Sequence, residues 1–182
     1  MPDRVIIRPP RRSDEKEYLA GVRASRELHQ PWVPLVASRE AFRRRLKNAR
    51  SPRCASFFVF RSDSKALVGV VDLSEIVRGC FQSAYLGYFA FAPYARQGLM
   101  REGLTRVVHH AFGSMGLHRL EANIQPGNAA SIALVRALGF TKEGYSKRYL
   151  KVGSKWMDHE RWAILAEEWM DPMREESGNG RR

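Results

Sequence analysis

The chain has 182 residues, 44% of them apolar, and carries 31 Lys and Arg against 19 Asp and Glu, a net charge of +12. That length suits a single domain able to bury about 70% of its unfolded surface, and the composition excludes a disordered or fibrous chain. No apolar run approaches the ~20 residues of a membrane span, the opening MPDRVIIRPP lacks a signal-peptide core, and two cysteines make no disulfide framework, so a reducing cytoplasm is the expected compartment. The positive balance asks for an anionic partner (nucleic acid, ribosome, acidic protein or a phosphorylated cofactor) or is simply a soluble surface.

In chain order, residues 5–8 (VIIR) read as a short strand stopped by Pro9 and Pro10. Ser13 is placed as the N-cap of a helix to about Ser25, with Asp14 and Glu15 in its first turn. The prolines of residues 29–34 (HQPWVP) make a loop, in which Trp32 either plugs the core or forms part of a substrate mouth. Ser38 caps a second helix bearing Arg43, Arg44, Arg45, Lys47 and Arg50, which is either a solvated basic face or a dock for an anionic partner.

Three extended segments follow, 55–61, 66–76 and 84–91, joined by turns at 62–65 and 78–83, so they should pair antiparallel. Pro93 ends the third. After the basic turn 94–98 the apolar period changes to about 3.6, placing Met100, Leu104, Val107, Val108, Ala111, Phe112 and Met115 on one helical face. A strand, a glycine-containing turn and a helix leave N–H groups unpaired at a positive helix terminus, a ready phosphate site. Gly116 ends this helix and 118–125 alternates as a strand, with Leu120, Ala122 and Ile124 inward. Asn128 caps a helix ending before Gly139, and 141–151 with 155–165 forms a last hairpin. The domain is expected to span 1–170, with 171–182 a polar, disordered tail.

This order, β-α-α-β-β-β-α-β-α-β-β, resembles that of the GNAT acetyltransferases, and the residues agree. Residues 95–100 (ARQGLM) resemble the family's acetyl-CoA loop, and Asn128, Ser131, Gly139 and Phe140 its N-x-x-S…GF segment. Residues 68–79 (VGVVDLSEIVRG), 86–88 (LGY), 98–100 (GLM), 139–145 (GFTKEGY), His118-Arg119 and Trp156-x-Asp158-His159 resemble the RimJ type, acting on ribosomal-protein N-termini. The resemblance implies an α/β (α+β) GNAT fold. Its mixed, mostly antiparallel twisted sheet would have six to seven strands and about four flanking helices, splayed between strands 4 and 5. Ala95, Arg96 and Met100 depart from the loop's commonest residues, but the loop binds diphosphate mainly through backbone N–H groups.

The resemblance further implies an acetyl-CoA-dependent N-acetyltransferase. Pantetheine and acetyl contacts fall on the backbone of Phe89, Ala90 and Phe91, and diphosphate on the amides of Arg96, Gln97, Gly98, Leu99, Met100 and Arg101. Asn128 serves the pantetheine arm, the helix cap, or both. The acid for the departing thiolate is Tyr149, nine residues past Phe140, or else Ser131. Tyrosine suits because its pKa of about 10 keeps it protonated at neutral pH. Related enzymes carry a glutamate five residues before Asn128; here that position is Asn123, so Glu121 is the remaining carboxylate, either a base or a solvated strand residue, with ordered water shuttled by Asn123 and Glu121. An α-amine, of pKa near 7.7–8.0, is about a tenth neutral at pH 7, whereas lysine is almost wholly charged. A site without a strong base therefore favours protein N-termini. A small amine (antibiotic or polyamine) as acceptor, and a non-catalytic ribosome- or RNA-binding module, are the alternatives. The expected partner is a ribosomal protein's N-terminus, with the basic surface serving ribosome association, no membrane, and a monomer or homodimer. His109 and His110 are adjacent, about 100° apart on a helix, and no other histidine stands at metal spacing, so no metal is expected.

Overall fold

Alternating inward side chains and turn residues build one seven-stranded sheet in a computed structural model describing residues 3–30 and 32–170; the expected tail lies outside the described residues. The strands are β1 (Val5–Arg8), β2 (Ala55–Arg61), β3 (Leu67–Val77), β4 (Ser83–Ala90), β5 (Arg119–Ile124), β6 (Thr141–Val152) and β7 (Lys155–Leu165), in the spatial order β1-β2-β3-β4-β5-β7-β6. Helices α1 (Glu15–Ala24), α2 (Arg26–His29) and α3 (Arg39–Asn48) cover one face; α4 (Leu99–Gly113) and α5 (Ala129–Ala137) cover the other. The mixed α/β fold is as expected, with five helices in place of about four.

Each face has its own apolar cluster. Leu104, Val107, Val108 and Ala111 of α4 are fully buried against Val59, Val71 and Leu120 of the sheet. Tyr18, Leu19 and Val22 of α1 and Phe42 of α3 pack on Phe58, Phe60, Val70 and Phe91. Gly21 lets α1 lie flat on the Phe91 ring, which would stand 2.8 Å from any Cβ there. Ser38 caps α3 by accepting from the Ala41 amide at 3.1 Å.

The start of α1 departs from expectation. Ser13 lies within a 3₁₀ turn, Arg12–Asp14, and caps nothing; Asp14 is buried and accepts from the Arg11 amide at 2.7 Å and from both terminal nitrogens of Arg8. Two charge-assisted partners outcompete a weak hydroxyl cap. Burial alone would raise the Asp14 carboxyl, but the Arg8 and Arg11 bonds outweigh it and hold it low.

The feature that positions the site is a broken pairing. β4 and β5 run parallel and pair only at Ser83↔Arg119, Ala84↔Leu120 and Tyr85↔Glu121. β4 continues to Ala90 and β5 to Ile124, so beyond Tyr85 the two strands splay and leave a gap.

Candidate active site

A cavity of about 310 Å³ runs through this gap and reaches both faces of the sheet. Leu86, Tyr88 and Phe89 of β4 line one side, Asn123 and Ile124 of β5 the other, and Asn128 and Ser131 of α5 one end. Which β4 backbone groups face the gap follows from the antiparallel ladder with β3. The Phe91 amide bonds the Val68 carbonyl at 2.8 Å, and ladder bonds alternate along a strand. Phe89 and Phe91 therefore turn their N–H and C=O toward β3, while Leu86, Tyr88 and Ala90 turn theirs toward the gap. Of the three backbone positions expected from sequence, only Ala90 faces it, and its carbonyl meets His29 Nε2 at 2.7 Å.

Past β4 the chain turns through Ala92–Tyr94 into α4. Gly98 stands at the N-cap with φ of 77°, a left-handed conformation that glycine adopts without strain. Arg96, Gln97, Gly98 and Arg101 are exposed, and the first amides of a helix have no intrahelical partner. Leu99 and Met100 turn inward instead; the Met100 sulfur lies where a Cβ on Gly69 would stand, so this methionine packs the core and leaves the loop's outer face clear. Arg4, unsuspected from sequence, donates to the Gln97 carbonyl at 3.3 Å and pairs with Glu102, adding a cation beside the loop.

Inside the cavity Ser131 Oγ and Tyr88 Oη are 2.6 Å apart, and Tyr88 also donates to the Ser131 carbonyl at 3.2 Å. Burial pushes the Tyr88 phenol up to about 12, so it stays protonated at neutral pH. Asn128 Oδ1 caps α5 by accepting from the Ser131 amide at 3.1 Å. That leaves its amide donors for a ligand. Asn123 Oδ1 is buried with no hydrogen-bond partner, an orphaned acceptor in the cavity wall. Tyr149 is not among the lining residues. Its phenol neighbours that of Tyr85, which this neighbour and burial push up to about 12, and its ring packs edge-on to His159 at 6.4 Å. Glu121 is likewise outside the lining and is held by Arg119 Nε at 2.9 Å.

The α1–α3 side of the cavity holds a pair that sequence reasoning passed over. Arg45 Nη1 contacts Asp72 Oδ1 at 2.6 Å and Oδ2 at 2.7 Å, and Ser56 Oγ donates to Oδ1 at 2.6 Å. Arg45 was expected on a basic face; its side chain is only 17% exposed, lying over the Tyr18 and Phe89 rings. The pair lies between the through-sheet cavity and a second one of about 360 Å³, and lines both. Asp72 is the only acid among the described residues lining either cavity, while Arg44 and Arg45 both face the second. Trp32 forms part of the mouth, its carbonyl accepting from Gln125 Nε2 at 2.8 Å. Among the described residues no group of three His, Cys, Asp or Glu side chains could hold a metal ion, and no helix is long and apolar enough to cross a membrane. Cys54 and Cys80 are free thiols.

The unpaired strand edge, the glycine-capped helix terminus and the orphaned amide suit an elongated ligand with a phosphorylated end, threaded between β4 and β5. The family model described as "Acetyltransferase (GNAT) domain" matches residues 4–141. The chain is 31% identical over 175 residues to the [ribosomal protein uS5]-alanine N-acetyltransferase of Escherichia coli, covering 92% of this chain and 90% of that protein. Mycobacterium smegmatis RimJ, solved in complex with CoA-disulfide, superposes with a TM-score of 0.79 at 29% identity, over 90% of this chain and 83% of that one. A Vibrio cholerae spermidine N-acetyltransferase, solved with CoA and spermine, shares the fold at a TM-score of 0.77 and 20% identity, over 91% of this chain and 97% of that one.

Proposed function

The chain belongs to the GNAT acetyltransferase family and is an acetyl-CoA-dependent N-acetyltransferase, and from that premise we propose that its acceptor is the α-amine of a protein N-terminus, that of a ribosomal protein in the cytoplasm above all. The observation carrying this reading is the charge of the two cavities. One carboxylate, already engaged by Arg45, is the only acid lining them among the described residues, and two arginines face the outer one. A polyamine presents several cations and would meet repulsion there; a peptide N-terminus presents one amine on an otherwise neutral backbone. No unengaged carboxylate lines the through-sheet cavity to strip a proton from lysine, whereas an α-amine is already partly neutral at pH 7.

In this reading the diphosphate rests on the amides at Gly98–Arg101, and pantetheine runs along Leu86, Tyr88 and Ala90. The peptide enters from the α1–α3 side. Its neutral nitrogen attacks the thioester carbon, the oxyanion is met by a β4 amide facing the gap, the departing thiolate takes its proton from Ser131, with Tyr88 behind it, and the proton that nitrogen sheds returns through water to Ser131. Tyr149 is the second candidate for that proton, acting from the Tyr85 side. Glu121, tied to Arg119, serves at most through water relayed by Asn123.

Ribosome association fits the β6–β7 hairpin tip. Lys147, Arg148, Lys151 and Lys155 are exposed there, none in an ion pair among the described residues, beside Trp156, which is 59% exposed. Cations interleaved with an exposed aromatic ring suit RNA.

The test is a competition with saturating acetyl-CoA among a free-N-terminus peptide, its N-blocked lysine-containing counterpart, and spermidine. The free α-amine should be preferred by kcat/KM at least tenfold, with a rate rising towards about pH 8 as the amine deprotonates. Faster turnover of the blocked lysine peptide or of spermidine refutes the α-amine assignment.

A further inference from the structure

Asp72 interrupts the apolar run from Leu67 to Leu73, and its bonds leave it incompletely used. Oδ1 accepts from Arg45 and Ser56, but Oδ2 accepts from Arg45 alone. A carboxylate has about four lone-pair sites, so Oδ2 keeps one free. The side chain is 32% exposed, and that exposure opens into the cavities it lines.

Across the β3–β4 ladder Asp72 stands opposite Gly87. Paired residues put their side chains on the same face, so Gly87 leaves a hollow beside the carboxylate. A Cβ built on Gly87 would meet nothing within 4 Å. The Phe89 ring, under Arg45, bounds one end of the hollow, and from β5 the buried, unpartnered Asn123 Oδ1 faces the same cavity. Two oxygen acceptors thus flank an open space over β4, on the face opposite Ser131 and α5.

A neutral primary amine carries two N–H donors and one lone pair. The geometry points to Asp72 Oδ2 as the acceptor that receives one N–H of the acceptor amine in the hollow over Gly87, leaving its lone pair free for the thioester in the gap. Arg45 is part of the device. A lone carboxylate would hold the amine as ammonium, which cannot attack. Neutralised by a guanidinium fixed on Tyr18 and Phe89, Asp72 accepts an N–H without pinning the extra proton. Asp72 is then an acceptor-binding residue, and the empty position at Gly87 is the slot it serves. This rests on acetyl transfer to an amine, not on which amine is the acceptor.

Two variants test it, each assayed with the amine that wild type prefers among the α-amine peptide, the N-blocked lysine peptide and spermidine. The Arg45→Met/Asp72→Leu double variant removes the acceptor while replacing the ion pair by apolar side chains of similar volume, an exchange that folded proteins often tolerate. Gly87→Val fills the slot, where the backbone φ is not positive and the space is open, so the fold has no reason to change. Each should lower kcat/KM for the amine at least thirtyfold, through KM first, while acetyl-CoA affinity by calorimetry stays within twofold. A loss under tenfold in Gly87→Val, or a parallel loss of acetyl-CoA affinity, overturns the assignment even if the double variant does not fold. A wild type preferring lysine or spermidine refutes the α-amine reading and leaves Asp72 to be judged on that amine.

Discussion

The proton that the departing thiolate needs gives the sharpest test of the site. Ser131 lines the cavity and Tyr149 does not, so Ser131→Ala should be the more damaging of the two. The substitution removes one hydroxyl bonded to Tyr88 at 2.6 Å, but Tyr88 keeps its bond to the Ser131 carbonyl at 3.2 Å and is not orphaned. The stability loss is therefore that of one ordinary hydrogen bond, about 1 kcal/mol, or roughly 2–4 °C in Tm for a chain of this size. The α5 cap survives, because Asn128 accepts from the Ser131 backbone. Loss of a general acid lowers rate by about 10²–10⁴. The two effects are thus separable: kcat should fall at least a hundredfold in a protein that stays folded at 25 °C and binds acetyl-CoA as before. Tyr88→Phe, removing the hydroxyl behind Ser131, should give a smaller fall of about tenfold. Its phenol, pushed to about 12, is protonated throughout the assay range, so any alkaline limb below pH 10 must come from another group. Steady-state kinetics with a free-N-terminus peptide, beside thermal melts, decides the matter. Tyr149→Phe costing more in kcat than Ser131→Ala would reverse the assignment; neither exceeding tenfold would hand the proton to water.

Three further outcomes are expected. Gly98→Glu should abolish measurable acetyl-CoA binding in calorimetry while the far-UV spectrum is kept, since it sets a carboxylate at the diphosphate and forces a side chain to φ of 77°; near-normal affinity would show that the phosphates lie elsewhere. Asp14→Asn should lower stability by about 3 kcal/mol at pH 7, because it leaves Arg8 without its charged partner. The Asp14 carboxyl is depressed in the folded state, so its contribution is complete above the unfolded value near 4 and is lost as pH falls through the lower folded value; melts from pH 7 to 3 should converge for the two proteins, and a constant gap would contradict the ion-pair account. Lys151→Glu with Lys155→Glu should weaken RNA binding and flatten its salt dependence with peptide acetylation unchanged; a salt slope equal to wild type would remove the hairpin from RNA contact.

Local rules carried much of this architecture. Alternation set Leu120, Ala122 and Ile124 inward, Ser38 and Asn128 cap as their side chains allow, and each hairpin turn sits between strands that pair antiparallel. What escaped was set by tertiary pairing. Whether Phe89 or Ala90 turns its backbone to the gap depends on which residues bond β3, a parity that a single strand does not encode. Arg45 was hidden in the run Arg43-Arg44-Arg45, although it shares a helical face with Phe42 and Ala49, and that spacing was the available signal. Asp72, alone among apolar residues from Leu67 to Leu73, was another.

Two of the ion pairs on the α1–α3 face, Arg8–Asp14 and Arg45–Asp72, separate fold from function. Arg8–Asp14 ties β1 to the start of α1, with Asp14 only 6% exposed, and lines neither cavity; its work is finished when the chain is folded. In Arg45–Asp72 the carboxylate is the open partner, 32% exposed against 17% for the guanidinium, and the pair stands where two cavities meet. Taking both charges partly out of water is expensive, and a well-packed apolar pair would serve the fold as well. Placed where both cavities open on it, this pair suits a polar group arriving there. A neutral amine needs an acceptor for its N–H and no net charge opposite it. An Arg-neutralised carboxylate supplies that combination, in a cavity that Leu35, Phe89 and the orphaned Asn123 oxygen also line.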